Sequence, residues 1–406
     1  MYDYASRHMI EALRSGIPSR EVGRCFTEAR APFLKELDTE MDNVKTTGHS
    51  KGIVFTGKYG EGKTHLLETM ASLSEEKNMV VSILPLSKEA PFDKLYLLYQ
   101  KLLANTFLPK HDQPGVMHKL LDCSPGSNLA KEMQLFALQR LETDKLYYLF
   151  RLYLNSEDED ARYQMMADLE GDFMTNGLLR QQYFQVMHEK ANFKVNFTKS
   201  KHTKDYFAFL SHLFLQMGYA GWVILFDEAE LIGRLGRKTR AKAYRNMAAF
   251  LNPENNFEHT LTLFAFSDSY QEDIIQERNE AEEIKRYFLQ EGDDTVIPDV
   301  IDTILKARRL PSLTDTDIKE ITGKIITLYG KAYEWQPPVT KETLFEAIAS
   351  HGFLLRTRIR TIIEYLDQLY QYGEVGDIKS GKLQTGDLSE IPLLDEFLEN
   401  NTKKEV

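Results

Sequence analysis

The stretch "FTGKYGEGKTHLL", Phe55–Leu67, limits the fold more than any other part of the chain. Gly57, Lys58, Tyr59, Gly60, Glu61, Gly62, Lys63 and Thr64 fit the phosphate-loop pattern G-x-x-x-x-G-K-S/T. Glycines let the backbone bend back so that several N–H groups point at one anion. A helix starting at Lys63 and Thr64 offers its positive end to the same anion. The pattern has meaning only between a strand and a helix. Gly52–Thr56 reads as a short buried strand, and His65–Ala71 reads as a helix with an apolar stripe. In that setting Lys63 neutralises β- and γ-phosphates, Thr64 sets its hydroxyl on Mg²⁺, and His65 extends the cradle.

A second element supplies acid. Gly221–Phe226 is an apolar run that ends in Asp227 and Glu228, with Glu230 two residues on. A continuous apolar run suits a strand buried on both faces of a parallel sheet. Asp227 at its carboxyl end is placed to hold Mg²⁺, and Glu228 to orient and deprotonate an attacking water. Together with the phosphate loop this makes both halves of a phosphoryl-transfer site for ATP and Mg²⁺. Adjacent acids imply hydrolysis. A metabolic kinase is disfavoured on that ground.

Composition fits a large, water-soluble machine. The chain has 406 residues, enough for two or three domains, and 42% of them are hydrophobic. No apolar stretch approaches a membrane span, and the first residues carry no signal-peptide pattern. Cys25 and Cys123 stand far apart, and the histidines form no metal-ligand spacing. These features point to the cytoplasm and away from a metal site other than nucleotide-bound Mg²⁺. The net charge of −11 argues against a protein coated for nucleic acid. One local exception follows the acidic strand. Gly233–Arg245 carries Arg234, Arg237, Lys238, Arg240, Lys242 and Arg245 and no acid. Such a run is a solvated helix face, a source of arginine for a neighbouring subunit's γ-phosphate, or a DNA contact.

The order of elements predicts an α/β fold. Residues 1–45 read as a helical segment, with Pro18 in a turn. A core over 46–310 takes strands at Gly52–Thr56, Met79–Leu84, Val223–Phe226 and His259–Ser267, with a helical insertion at about 105–215. Hydrolytic geometry asks for one strand between the phosphate-loop strand and the acidic strand. The strand ending at Ser267 is read as that strand's far neighbour, pointing a polar group at the γ-phosphate. Residues 311–375 read as a helical lid, opened by Thr314 as N-cap with Asp317 as its reciprocal partner. Three lid helices are expected at about Thr316–Tyr333, Lys341–Ser350 and Leu355–Gln371. Arg356 and Arg360 share one face of the last. Residues 376–406 read as a polar tail.

Three segments carry a resemblance: Arg7–Gly23, the loop Phe55–Glu68, and Ile83–Gln100. They are similar to the ATP-binding proteins of bacteriophage exclusion (BREX) systems, the BrxD-like family. The acidic strand and the "LLRTRIRTIIEYLD" helix sit where that family has its Walker B strand and arginine-led lid helix. The resemblance implies an AAA+-like ATPase of anti-phage defence, similar in plan to origin-recognition and helicase-loader proteins. It implies Ser267 and Arg356 as the first and second sensors of the γ-phosphate. It also implies work as a homo-oligomer or with defence partners, a helicase or DNA among them. A nucleotide-gated switch without DNA contact is the alternative.

Overall fold

The computed structural model describes residues 3–17, 19–26, 30–111, 113–116, 123–253, 257–349 and 354–378. The expected turn at Pro18, the last residue of the Lys341–Ser350 helix and most of the polar tail lie outside them. Three helices open the chain: α1 (Tyr4–Ser15), α2 (Arg20–Cys25) and α3 (Ala31–Thr47). Strand β1 (Lys51–Gly57) leads into α4 (Lys63–Glu76), and β2 (Val80–Pro85) follows. A mainly helical segment then intervenes, with α5 (Leu95–Leu103), the short β3 (Thr106–Phe107) and α6 (Asn128–Gln139). It continues through α7 (Lys145–Asn155), α8 (Glu159–Ala167), α9 (Asn176–Met187) and α10 (Lys199–Gln216). The chain re-enters the sheet with β4 (Trp222–Asp227), crosses by α11 (Arg237–Leu251) and returns in β5 (Thr260–Ser267). After α12 (Glu280–Glu283), α13 (Asp293–Leu305) and β6 (Arg308–Arg309) come α14 (Asp315–Tyr333), α15 (Lys341–Ile348) and α16 (Leu355–Tyr372).

The six strands run in the order β3-β2-β4-β5-β1-β6, all parallel except β3. β5 is the strand between the phosphate-loop strand and the acidic strand, with Thr56 opposite Phe266 and Phe226 opposite Phe264. The strand ending at Ser267 is therefore the interposed strand itself, not its far neighbour. Two-residue β3 and β6 carry too little pattern to be read from sequence.

β4 shows why its run is apolar throughout. Trp222, Ile224 and Phe226 face one core, where Phe226 meets Phe92 edge-on at 5.1 Å. Val223 and Leu225 face the other, with Phe33, Leu67 and Met70. Helices cover both faces, so alternation disappears. A third core joins the two ends of the chain. Ile10, Leu13 and Val22 of α1 and α2 pack with Ile321, Ile325 and Leu366 of α14 and α16. The first 45 residues thus divide: α1 packs with the C-terminal helices, α2 lies against α4 and adds Val22 to the third core, and α3 packs on the sheet.

Candidate functional site

The phosphate loop leaves β1 at Gly57 and closes at Gly62, the N-cap of α4. Gly60 (φ +76°) and Gly62 (φ +92°) occupy the left-handed region that side chains rarely adopt. Glu61 braces the turn by accepting from the Lys58 N–H at 2.8 Å. Lys63 is buried and folds back on the loop, donating to the carbonyls of Gly57 (2.9 Å) and Lys58 (3.4 Å). Its ammonium is thus held where the loop curls, and Tyr59 is exposed and lines the cavity described below.

Asp227 ends β4 and is buried. The Thr64 hydroxyl donates to its Oδ2 at 2.5 Å, so the start of the loop helix and the end of the acidic strand meet. Hard oxygen donors at this junction suit Mg²⁺. A second carboxylate adds to the fit. Glu68, one turn along α4 from Thr64, has a buried Oε2 without a hydrogen-bond partner. Burial pushes its carboxyl up, against the pull of Arg20.

Glu228 follows Asp227 in the left-handed region, at φ +52°, and is exposed. Partial burial and the neighbouring Asp227 raise its pKa, and Arg234 opposes them. Burial raises Glu230 too. Glu230 Oε2 accepts the Ser267 N–H at 3.1 Å, while the Ser267 hydroxyl is 3.0 Å from that of Ser269. The sequence points to Ser267 as the polar group facing the γ-phosphate. The structure sets Glu230, not Ser267, on the cavity wall.

That cavity, about 590 Å³, lies between the carboxyl ends of the inner strands and the helices of the third core. Lys63, Thr64, Asp227, Glu228 and Glu230 line its polar part. Leu13, Ile17, Phe26, Ile321, Leu355 and Ile359 line an apolar part. His65 lies against the Phe26 ring, 6.1 Å between centroids, and burial lowers its pKa to about 4. It is therefore neutral at pH 7 and lines the cavity without adding charge.

Arg356 also lines the cavity, from the first turn of α16. Its Nη2 donates to the Ser15 carbonyl at 3.3 Å, and Arg360 donates to the carbonyls of Arg14 (3.1 Å) and Ser15 (2.8 Å). The two arginines cap the negative end of α1, as cations do at helix C-termini. Gly16 makes room: a Cβ there would stand 2.3 Å from Arg356 Nε.

Arg30 was not found from sequence. It sits on the cavity wall, donating to the carbonyls of Pro311 (2.5 Å) and Glu61 (2.6 Å). One buried guanidinium so joins the N-terminal segment, the phosphate loop and the lead into α14. No motif surrounds it, and only the three-way contact reveals it.

The basic stretch divides. Arg234 is exposed, and Arg237 is half exposed with Glu283 at 3.6 Å. Arg240 and Arg245 do not face outward as a finger or DNA path requires. Arg240 is 2% exposed and forms a bidentate pair with Glu280 at 2.7 and 2.8 Å. Arg245 is paired with Asp293. Both partners lie far downstream in sequence, so a local charge count missed them.

Comparison with known proteins gives three results. No curated protein matches the sequence. Among solved structures, the chain is similar to the Walker-type ATPase of Pyrococcus abyssi, with 11% identity, 91% of this chain and 76% of that chain covered, and a TM-score of 0.34. A family model described as "BREX system ATP-binding protein BrxC/D" matches residues 3–124 and 146–380. With the match spanning most of the sequence and containing both the phosphate loop and the acidic strand, the chain belongs to the BREX system ATP-binding protein BrxC/D family.

Proposed function

We propose that this anti-phage defence protein hydrolyses ATP to ADP and phosphate, and that turnover couples to DNA or to a helicase-like partner. The 2.5 Å contact between Thr64 and Asp227 carries the reading, because it joins the two half-sites at one point. The apolar part of the cavity suits a base, and the polar part suits the phosphates. Bound Mg²⁺, held by Thr64 and Asp227, would neutralise charge on the phosphate oxygens. Lys63 releases the loop carbonyls and turns to the β- and γ-phosphates. Glu228 accepts a proton from water as the water oxygen bonds to the terminal phosphorus and the bridging P–O bond breaks. The positive end of α4 and the loop N–H groups hold the ADP phosphates. Arg356 reads the γ-phosphate from the same chain, leaving Ser15.

The test is Glu228→Gln. ATP binding measured by calorimetry stays, while turnover falls by on the order of a hundredfold. Wild-type turnover in that variant overturns the assignment, with Glu230 as the next base to substitute.

A switch without DNA contact is the second reading. It is favoured by the internal pairing of Arg240 and Arg245, which removes two of the cations on the basic stretch from any DNA path. DNA contact there rests on Arg234, Arg237, Lys238 and Lys242. Affinity for DNA that falls steeply with salt supports the first reading. No DNA affinity at low salt supports the second. An oligomer supplying Arg234 or Arg237 to a neighbour would show turnover that rises with protein concentration.

A further inference from the structure

We propose that Arg240 is a positioning residue for hydrolysis, locking the turn that presents Glu228 and Glu230. The inference rests on the assignment of Glu228 as the base. The turn is the 3-10 segment Ala229–Arg234, which opens directly after Glu228. A residue other than glycine in the left-handed region persists only where its surroundings hold it. The surroundings hold this turn at both ends. Near its start, Glu230 accepts the backbone N–H of Ser267 from β5 at 3.1 Å. At its end, the carbonyls lack helical partners and need donors. Arg240 Nη1 supplies them, at 2.6 Å to Leu235 and 3.5 Å to Gly233.

The other two nitrogens of the guanidinium are fixed. Nε and Nη2 bind the two oxygens of Glu280 at 2.7 and 2.8 Å, and Glu280 is fully buried. Tyr244, one turn along α11, bonds Tyr270 at 2.6 Å and reaches Glu280 at 3.4 Å. The Tyr270 ring closes against the turn itself: a Cβ on Gly233 would stand 2.9 Å from it. Tyr270 and Glu280 both lie downstream of β5, the strand that ends at Ser267. The clamp thus ties the turn after the acidic strand to the segment after the neighbouring strand. It sets where the two carboxylates stand relative to the loop on the far side of β5. A planar fork that grips one carboxylate with two nitrogens and holds the turn carbonyls with the third is a job for arginine, since a lysine ammonium cannot keep that geometry.

Removing Arg240 alone strands a buried Glu280, so loss of folding would prove nothing. The variant to make is Arg240→Met with Glu280→Leu, which replaces the pair by apolar groups of similar size. Expected are cooperative unfolding close to wild type and ATP affinity within about threefold of it. Turnover at saturating ATP falls roughly tenfold or more, because small displacements of a reacting group carry losses of that order. Arg240→Lys keeps the charge opposite Glu280 and fails to restore turnover. The third arm combines the apolar pair with Glu228→Gln. A residue acting through Glu228 adds no further loss once Glu228 is gone. A folded apolar-pair variant with wild-type turnover overturns the proposal, and so does a loss that adds in full to that of Glu228→Gln. Wild-type turnover in Glu228→Gln alone instead overturns the base assignment, and the two failures are read from different proteins.

Discussion

Two ion pairs are buried in this molecule with almost the same exposure. Lys145–Asp168 stands at 0% for both side chains, Arg240–Glu280 at 2% and 0%. Burying either pair carries a desolvation cost that apolar residues of the same size would avoid. They differ in what else they bind. Around Lys145–Asp168, the spare valences close within the helical segment between β2 and β4. Lys145 donates to the Met174 carbonyl at 3.0 Å, and Asp168 accepts from the Met174 N–H and the Tyr206 hydroxyl, both at 2.6 Å. Around Arg240–Glu280 the spare donor leaves its own neighbourhood and reaches the turn behind Glu228. The same chemistry therefore fixes a packing arrangement in one place and the stance of two cavity carboxylates in the other. Burial alone does not tell them apart. The destination of the remaining hydrogen bonds does.

The largest effect expected tests the purely structural half of the comparison. Asp168→Ala leaves the Lys145 ammonium buried and unpaired, and should lower stability by about 3–5 kcal/mol. Denaturant unfolding measures it. Turnover per folded molecule, taken at a temperature where the variant is native, should not change. Lys145→Met with Asp168→Leu should recover most of the stability, to within about 1–2 kcal/mol. If Asp168→Ala remains folded yet loses turnover, the two pairs are alike in function and the comparison fails.

Arg30 comes next and lies between the two cases. It is buried without a paired carboxylate among the described hydrogen bonds, and its donors go to the Glu61 and Pro311 carbonyls. Burial lowers its pKa, and Glu61 opposes the shift. Bonds from a charged donor are worth about 1.5–3 kcal/mol each way, so Arg30→Ala should weaken ATP binding by roughly tenfold or more in calorimetry. The loss should appear for ADP as well, since the loop itself loosens. Unchanged affinity for both nucleotides would make Arg30 a packing residue like Lys145.

These three cases mark what sequence can reveal. Gly60, Gly62, Lys63 and Thr64 were legible because a strained turn dictates its own residues over a short span. Asp227 was legible because a strand buried on both faces is apolar until it ends. Thr314 and Asp317 were legible for the same local reason, and they form the reciprocal cap with bonds of 2.8 and 3.1 Å. What failed was non-local. The partner of Arg240 lies forty residues on. Arg30 reaches Pro311 across most of the chain. The packing of α1 on α14 and α16 joins opposite ends of the sequence. Apolar stripes announce that each helix is buried but not against which partner, and strand order, where β5 was misplaced by one position, has the same defect.

Arg356 tests whether a cavity arginine is structural in the unliganded state and functional in the loaded one. It shares the Ser15 carbonyl with Arg360, which binds it more closely at 2.8 Å. Arg360 can therefore cap α1 alone. Arg356→Ala should then leave stability nearly intact and reduce the preference for ATP over ADP by roughly threefold to tenfold, about 1 kcal/mol. Competition binding with both nucleotides gives the ratio directly. A fall in stability with an unchanged ratio would move Arg356 to the structural side.

The smallest effect concerns Thr314, the local and exposed counterpart of the buried pairs. Its hydroxyl accepts from the Asp317 N–H at 3.1 Å, and Asp317 returns a bond to the Thr314 N–H at 2.8 Å. Water can replace both partners here, so nothing is stranded when one is removed. Thr314→Ala should lower stability by about 1 kcal/mol or less. The cap opens α14, whose Ile321 lines the cavity. If α14 is held mainly by its packing against α1, the cap is a local term, and ATP affinity and turnover stay at wild-type values. If instead the cap sets the angle at which the C-terminal helices meet the loop, ATP affinity changes by more than stability does. Thermal unfolding and calorimetry on one preparation separate the two, and the second result would show that a surface motif, like the Arg240 clamp, reaches the site through what it orients.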